Sequence, residues 1–517
     1  MPNSTPTANP VLRIRGVSKR FGEVDANRDI DLTLQRGEVL ALLGENGAGK
    51  TTLMSILFGH YVADRGRIEV NGLPLPPGSP AAAIAAGIGM VHQHFTLADN
   101  LSVLDNVILG TESLWSPFQN RRRARDKLDE LSARFGLSID PNAQVADLSV
   151  GERQRVELLK VLYRDARILI LDEPTAVLTP QETDTLFHTL EDMVSEGLSI
   201  IFISHKLNEV LSISRRIAVL RHGTVVGEFE RADTSRAALA AAMVGRAVAT
   251  PSRTEMSAGT PVLELRSVDV HHGKSRLEGV SLTVREHEVI GIAGVSGNGQ
   301  SALADLVSGL CVPESGDLVV LGAETRRGSP SNMVAAGVGR IPEDRHGAGL
   351  VGEMTVSENL VLESYRQPHF SRFGWLRAGI VLDHAHELLE RYDVRCAGPG
   401  AATRSLSGGN MQKLILARAL SQRPKLVLAC QPTRGLDIGA AAYVHRQILE
   451  ARGRGSGILL ISEDLDELLT LSDRIMVIFR GRLSPAITTE EADRAQLGLL
   501  MSGQGFTRET VGDPRAA

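Results

Sequence analysis

GENGAGKT, residues 44–51, has the G-x-x-x-x-G-K-[ST] spacing of a loop that holds phosphate. Gly44, Gly47 and Gly49 let backbone N–H groups turn inward, and the helix that follows adds its positive N-terminal end. Glu45, Asn46 and Ala48 complete the loop. Lys50 can reach β- and γ-phosphates, the Thr51 hydroxyl can ligate Mg²⁺, and Thr52 closes the phosphate-facing set. VLALL before the loop supplies a strand and TTLMSILFG after it a helix, so a bare glycine turn is a poor explanation. Further on, ILILDEP ends an apolar strand with Asp172 and Glu173. Alone, this pair would serve equally to cap a turn. Downstream of a phosphate loop it suits metal and water, with Asp172 in a direct or indirect Mg²⁺ role and Glu173 polarising the attacking water.

The same elements occur twice. VLALLGENGAGKTTLMSILFG (39–59) matches VIGIAGVSGNGQSALADLVSG (289–309) at an offset of 250 residues. LSVGERQRVELLKVL (148–162) matches LSGGNMQKLILARAL (406–420) at an offset of 258, and so does ILILDEPTAVLT (168–179) with LVLACQPTRGLD (426–437). A period this long means duplicated domains rather than a solenoid. The expected boundaries are 11–247 for the first domain, a small and polar linker at 248–261, and 262–506 for the second. In each half, alternating segments such as LRIRGV and near-continuous apolar runs such as ILILD and LSIIFIS read as strands, the runs being buried on both faces. Intervening helices point to an α/β fold with crossovers. Residues from about 95 to 147 read as mostly helical. Within them RRRAR (121–125) is either a solvated helix face or a contact for an anionic membrane surface.

Composition narrows the setting. A hydrophobic fraction of 43% over 517 residues fits folded domains, and a net charge of −5 gives no electrostatic reason to bind nucleic acid. Three cysteines without paired spacing fit a reducing compartment. No apolar run has membrane-spanning length and no signal-peptide core is evident, so a cytosolic chain that docks on a membrane protein is expected.

The phosphate loop and the acid pair define a P-loop ATPase or GTPase, and the remaining motifs narrow the family. LSGGNMQ (406–412), Gln93 in VHQHF and His205 in ISHK, ordered with the loop and the acids, resemble the ATP-binding-cassette (ABC) superfamily. The resemblance covers both halves. It implies two tandem P-loop ABC nucleotide-binding domains, each with a mostly parallel core sheet, an antiparallel β subdomain and a helical subdomain. It also implies ATP and Mg²⁺ as cofactors, the metal held by Thr51, Gln93 and Asp172. Glu173, His205, Gln93 and Lys50 take the catalytic positions. Phe21, 23 residues before Gly44, matches the aromatic on which adenine stacks, although a core phenylalanine is the rival reading.

In that family two cassettes meet head to tail. Site one is then expected to join Lys50, Thr51, Gln93, Asp172, Glu173 and His205 with Ser407, Gly408, Gly409 and Asp437. Site two would join Gly294, Gly297, Gly299, Gln300 and Ser301 with Ser149 and Gly151, and it is degenerate. Gln300 replaces the lysine and removes a charge-assisted bond. Cys430 is a poor Mg²⁺ partner. Gln431 is no base, and Glu343 and Glu463 bring acids to the positions of Gln93 and His205. Val150 and Glu152 spoil the first signature. These changes fall on both surfaces of one expected site and spare the other, so site one is expected to hydrolyse ATP and site two to act as a scaffold.

AGVSGNGQ, GRIPEDRHGAGLV, SENLVL and QPTRGLDIGA look like the nucleoside branch of the sugar/nucleoside importers. That resemblance implies a peripheral ATPase subunit at the cytoplasmic face of the bacterial inner membrane. Its partners would be membrane permease subunits and, through them, an extracytoplasmic solute-binding protein, with no nucleic acid involved. A simple-sugar importer of the same group is the alternative. A soluble ribosome-associated twin-cassette ATPase fits less well, because such proteins carry a long charged linker and two intact acid pairs.

Overall fold

The computed structural model describes residues 10–92, 95–111, 121–175, 178, 180–245, 253–273, 275–325, 328–504 and 506. The chain divides into two compact units, Met1–Val248 and Ala249–Ala517.

In the first unit a six-stranded sheet runs in the spatial order Thr224–Glu230, Arg216–Arg221, Val39–Gly44, Ser199–Ser204, Ile168–Asp172, Ile88–Val91. All neighbours are parallel except the first pair, which is antiparallel. Every residue of Val39–Gly44, Ile168–Asp172 and Ser199–Ser204 is buried, which is why these strands read as unbroken apolar runs. Their alternation sorts side chains into two cores. Leu40, Leu42, Ile168, Ile170, Ile201 and Ile203 pack with Leu53 and Leu57 of the helix Lys50–Phe58 and with a four-stranded antiparallel sheet that includes Leu12–Phe21 and Val24–Leu34. Leu169, Leu171, Ile200 and Phe202 face the other way, onto Leu158 and Leu162 of the helix Val150–Tyr163. The sheet therefore carries the helix that follows the phosphate loop on one face and the helix Val150–Tyr163 on the other.

The second unit repeats the plan. Its main sheet has the order Val338–Ile341, Leu426–Cys430, Gly457–Ser462, Val289–Ala293, Arg474–Phe479, Arg482–Leu483, with Ile487–Thr488 also pairing Arg474–Phe479. An antiparallel sheet led by Pro261–His272 and Ser275–Arg285 lies in the same unit. In the linker, Arg253 reaches Asp473 and Glu490, and the Thr254 carbonyl accepts from buried Arg452 Nη1 at 2.8 Å, so this end of the linker is tied to the second unit.

The helical segments also correspond. Asn106 in Val103–Ile108 donates to the Ala98 and Ser102 carbonyls, and Asn359 in Val356–Val361 donates to those of Val351 and Thr355. Between 95 and 147 the described helices are Val103–Ile108, Arg121–Arg134 and a 3-10 turn, Val145–Asp147. That is less helix than the sequence led us to expect. Gly110 and Gly136 at positive φ, and Pro141, interrupt it.

Candidate active site

The parallel strands of the first unit bring three groups to one sheet edge. Leu43 lies opposite Ser204, and Asp172 opposite Ile203, so the loop after Gly44, the pair Asp172–Glu173 and His205 emerge together. Gly47 and Gly49 have φ of +80° and +101°, and Gly49 caps the helix Lys50–Phe58. A Cβ on Gly49 would lie 2.2 Å from the Ala26 carbonyl oxygen, so glycine is required there by space as well as by conformation. Asn27 Nδ2 donates to the Gly49 carbonyl at 3.1 Å and holds the loop to the antiparallel sheet.

Lys50 is buried, and its Nζ donates to the carbonyls of Gly44 at 2.7 Å and Glu45 at 3.0 Å. Burial lowers its pKa, against the opposing pull of the Glu173, Asp172 and Glu45 charges. Asp172 is raised, first by burial and then by the neighbouring Glu173 charge, with Lys50 opposing. Glu173 adopts a left-handed backbone at φ +48°, and its N–H donates to the Ile203 carbonyl at 2.9 Å. Its Oε1 lies 2.8 Å from His205 Nδ1. Burial pushes the Glu173 carboxyl up, but the His205 hydrogen bond and the His205, Lys50 and Lys206 charges outweigh it and hold the group below its ordinary value. Two adjacent carboxyls are thus driven apart. Asp172 is pushed toward its protonated form, while Glu173 is pushed toward its ionised form beside an imidazole.

Mg²⁺ fits this donor set. Asp172 and Thr51 offer hard oxygen atoms, and Lys50 offsets only part of the burial and Glu173 repulsion that disfavour the charged form of Asp172. Among the described residues no three His, Cys, Asp or Glu side chains cluster as a cage, so the ion would be completed by substrate phosphate and water. Gln93 lies outside the described residues. Phe21 is exposed rather than in the core, with its ring 5.3 Å from Tyr61 and Lys19 Nζ 5.5 Å from its centroid.

The second unit keeps the backbone and changes the chemistry. Gly297 and Gly299 have φ of +89° and +117°, and Gln431 stands at φ +45° with its N–H on the Ile461 carbonyl at 2.8 Å. Gln300 is buried and its Nε2 has no hydrogen-bond partner among the described residues. Burial pushes the Cys430 thiol up to about 12, so it stays protonated and does not fit Mg²⁺. The Gln431 Oε1 accepts from the Glu463 N–H at 3.2 Å, a static bond in place of the carboxylate–imidazole pair. Glu343 is ion-paired with Arg434, and Ser301 is exposed.

The signatures differ in a way the sequence reading passed over. Ser149 N and Oγ each donate to Glu152 Oε2 at 2.8 Å, and Ser149 Oγ accepts from the Glu152 N–H. This capping box occupies the hydroxyl with a carboxylate that the same bonds hold below its ordinary pKa. Its S-x-x-E spacing is visible in LSVGE. A Cβ on Gly151 would lie 2.6 Å from Glu182 Oε1. In the second unit Ser407 Oγ instead takes a hydrogen bond from Asn410 Nδ2 at 3.0 Å, with no acid involved. Gly408 and Gly409 open the helix Gly408–Ser421, and Asp437 caps Ile438–Gly453 through the Ala440 N–H at 2.7 Å. The reading also missed Arg345. Its Nε donates to Gln412 of the signature helix at 2.8 Å and its Nη2 to the Arg434 carbonyl, joining two motifs 22 residues apart. No local pattern announces it.

A glycine loop at a helix start and a serine-capped signature helix, repeated on two α/β sheets, with a strand-end acid and its histidine on the first, define a tandem-cassette ATPase. The ABC transporter family profile matches residues 27–176 and 277–434, more than half of the chain, and the protein belongs to that family. The chain is 45% identical, over 98% of each sequence, to a glucose import ATP-binding protein of Haloferax volcanii. It is 44% identical to a nucleoside import ATP-binding protein of Lactococcus lactis, over 95% of this chain and 98% of the relative. It shares the same 44% with a guanosine import ATP-binding protein of Bacillus subtilis, over 95% and 97%.

Proposed function

We propose that this chain is the ATP-hydrolysing subunit of a nucleoside importer, and that hydrolysis belongs to the phosphate loop of the first unit. The observation that carries the second clause is the contrast at the strand ends: an ionised Glu173 on His205 in one unit, Gln431 on a backbone N–H in the other. Glu173 takes a proton from the attacking water, His205 holds the carboxylate in place, and Lys50 carries positive charge to the phosphates. Mg²⁺ at Asp172, Thr51 and Gln93 would screen phosphate charge. We assign a part in hydrolysis to Ser407, Gly408, Gly409 and Asp437 of the second unit, and adenine stacking to Phe21. Gln300, Cys430, Gln431, Glu343 and Glu463 of the second unit, and Ser149 and Gly151 of the first, are assigned to holding shape without turnover.

Two of the three relatives named above are nucleoside or guanosine import ATP-binding proteins, which supports the solute class, as does the Cys430–Gln431 pair. The glucose import relative favours a simple-sugar importer as the second reading. The partners in either case are membrane permease subunits, and through them an external solute-binding protein. The chain sits on the cytoplasmic side of the membrane, and no helix among the described residues is long and apolar enough to cross it. The test is ATPase activity of the complex reconstituted with its permeases and binding protein. Stimulation by nucleosides and not by hexoses or pentoses supports the proposal; stimulation by sugars alone overturns it.

A further inference from the structure

We propose that the β-hairpin Ser371–Leu376 of the second unit is a lipid anchor that seats its aromatic tip in the interface of an anionic membrane. Ser371 pairs with Leu376 and Arg372 with Trp375, leaving Phe373 and Gly374 as a two-residue turn at φ of +53° and +83°. Both positive values are those of a tight hairpin turn, which glycine or asparagine ordinarily supplies at its first position. A phenylalanine held there is a strained choice, and its ring is 88% exposed. Trp375 is 81% and Leu376 53% exposed, so three large apolar side chains crowd a convex tip.

The base of the hairpin is fixed. Phe370 is buried against Val361 and Val381, and its carbonyl accepts from the Arg377 N–H at 2.9 Å. The exposed tip therefore stands on a packed, hydrogen-bonded base. Its surroundings are basic. No Asp or Glu occurs between Glu363 and Asp383, whereas Arg366, Arg372 and Arg377 all fall in that interval. Arg366 donates to the Tyr365 hydroxyl, Arg372 lies 5.3 Å from the Phe373 ring centre, and Arg377 reaches the His369 carbonyl. None of the three has a carboxylate partner among the described residues. By contrast, Arg121 and Arg125 of the RRRAR run are paired with Asp105 and Asp129.

Aromatic rings on a convex tip with unpaired arginines around the base match the headgroup layer of an acidic bilayer. Tryptophan settles there at the water boundary, and guanidinium groups meet phosphate. The sequence carries an independent sign. The chain has two tryptophans, and the other, Trp115, lies in the corresponding interval of the first repeat, between Asn106 and the helix Arg121–Arg134. Trp115 is outside the described residues.

The test uses the full chain with the Trp115→Phe substitution, so that Trp375 is the sole tryptophan reporter. Vesicles of phosphatidylglycerol mixed with phosphatidylcholine should shift Trp375 emission to the blue and carry the protein in flotation. Pure phosphatidylcholine vesicles should do so weakly, and high salt should reverse the binding. In the otherwise native chain, Phe373→Gly with Trp375→Ser should weaken flotation about tenfold or more. Glycine relieves the turn, so this variant is expected to melt no lower than the native protein, and Trp375→Phe should restore most binding. No blue shift with anionic vesicles, or equal flotation of native and doubly substituted chains, overturns the proposal. A blue shift only when permease subunits are present in the vesicles also overturns it, and identifies a protein contact instead.

Discussion

Alanine at each loop glycine separates conformational cost from collision. Gly47 has φ +80° with nothing within 4 Å of its would-be Cβ, so Gly47→Ala should lose only the left-handed penalty, about 1–2 kcal/mol. For a unit of this size that is a Tm decrease of about 2–8 °C, with ATPase activity reduced less than about tenfold. Gly49→Ala carries the same penalty and also meets the Ala26 carbonyl oxygen at 2.2 Å and Asn27 Nδ2 at 2.7 Å. Real Cβ contacts essentially never fall below 3.0 Å, so the loop must retreat by roughly 0.8 Å from backbone that cannot yield cheaply. Displacement on that scale at a reacting centre costs about a hundredfold in rate. Gly299→Ala in the second unit is a control, since its Cβ would lie 2.9 Å from the Arg276 carbonyl oxygen at φ +117°. It should destabilise more than Gly47→Ala, because it adds that backbone collision to the conformational penalty, and leave ATPase activity within about tenfold. Steady-state ATPase assays of the reconstituted complex, beside thermal melts, read both quantities. Equal hundredfold losses for Gly49→Ala and Gly299→Ala would refute the assignment of turnover to the first unit.

Ser149 and Ser407 both cap helices, so alanine at either should cost about 1 kcal/mol of stability, while only Ser407→Ala should reduce ATPase activity strongly. Glu152→Ala dismantles the capping box at a cost of about 0.3–1.5 kcal/mol and should not raise turnover, because Gln300 and Gln431 remain; melting curves and ATPase rates check both. Asp172 has a raised folded pKa, so its ionised form weakens the fold above the ordinary aspartate pKa, and stability is lost as pH rises through that window. Asp172→Asn should therefore melt higher than the native protein at pH 7, with the difference shrinking toward about pH 4, while Mg²⁺-dependent ATPase activity is lost.

The repeat, the parallel sheets and the positions of the loops were legible because they are local. Unbroken apolar runs such as ILILD mark strands buried on both faces, and GENGAGKT marks its own turn and helix. The loss of Lys, Asp and Glu at 300, 430 and 431 could be read by alignment of the two halves. What the substitutes do instead could not. That Gln431 turns to the Glu463 N–H depends on strand register, and that Gln300 leaves its Nε2 unpaired depends on burial. Arg345 escaped notice because its partner Gln412 is 67 residues away in sequence. The Ser149–Glu152 box was within reach of pattern reading, but a helix cap and a signature share the same letters there.

The most direct measurement compares ATPase rates of the reconstituted complex carrying Glu173→Gln with one carrying Gln431→Ala. The account predicts that the first falls to background with ATP still bound, because only a base held by His205 is removed. The second should stay near native, because Gln431 accepts a backbone N–H and no proton. Comparable losses in both would mean that Gln431 takes part in turnover, and the division into a hydrolytic and a static site would be wrong.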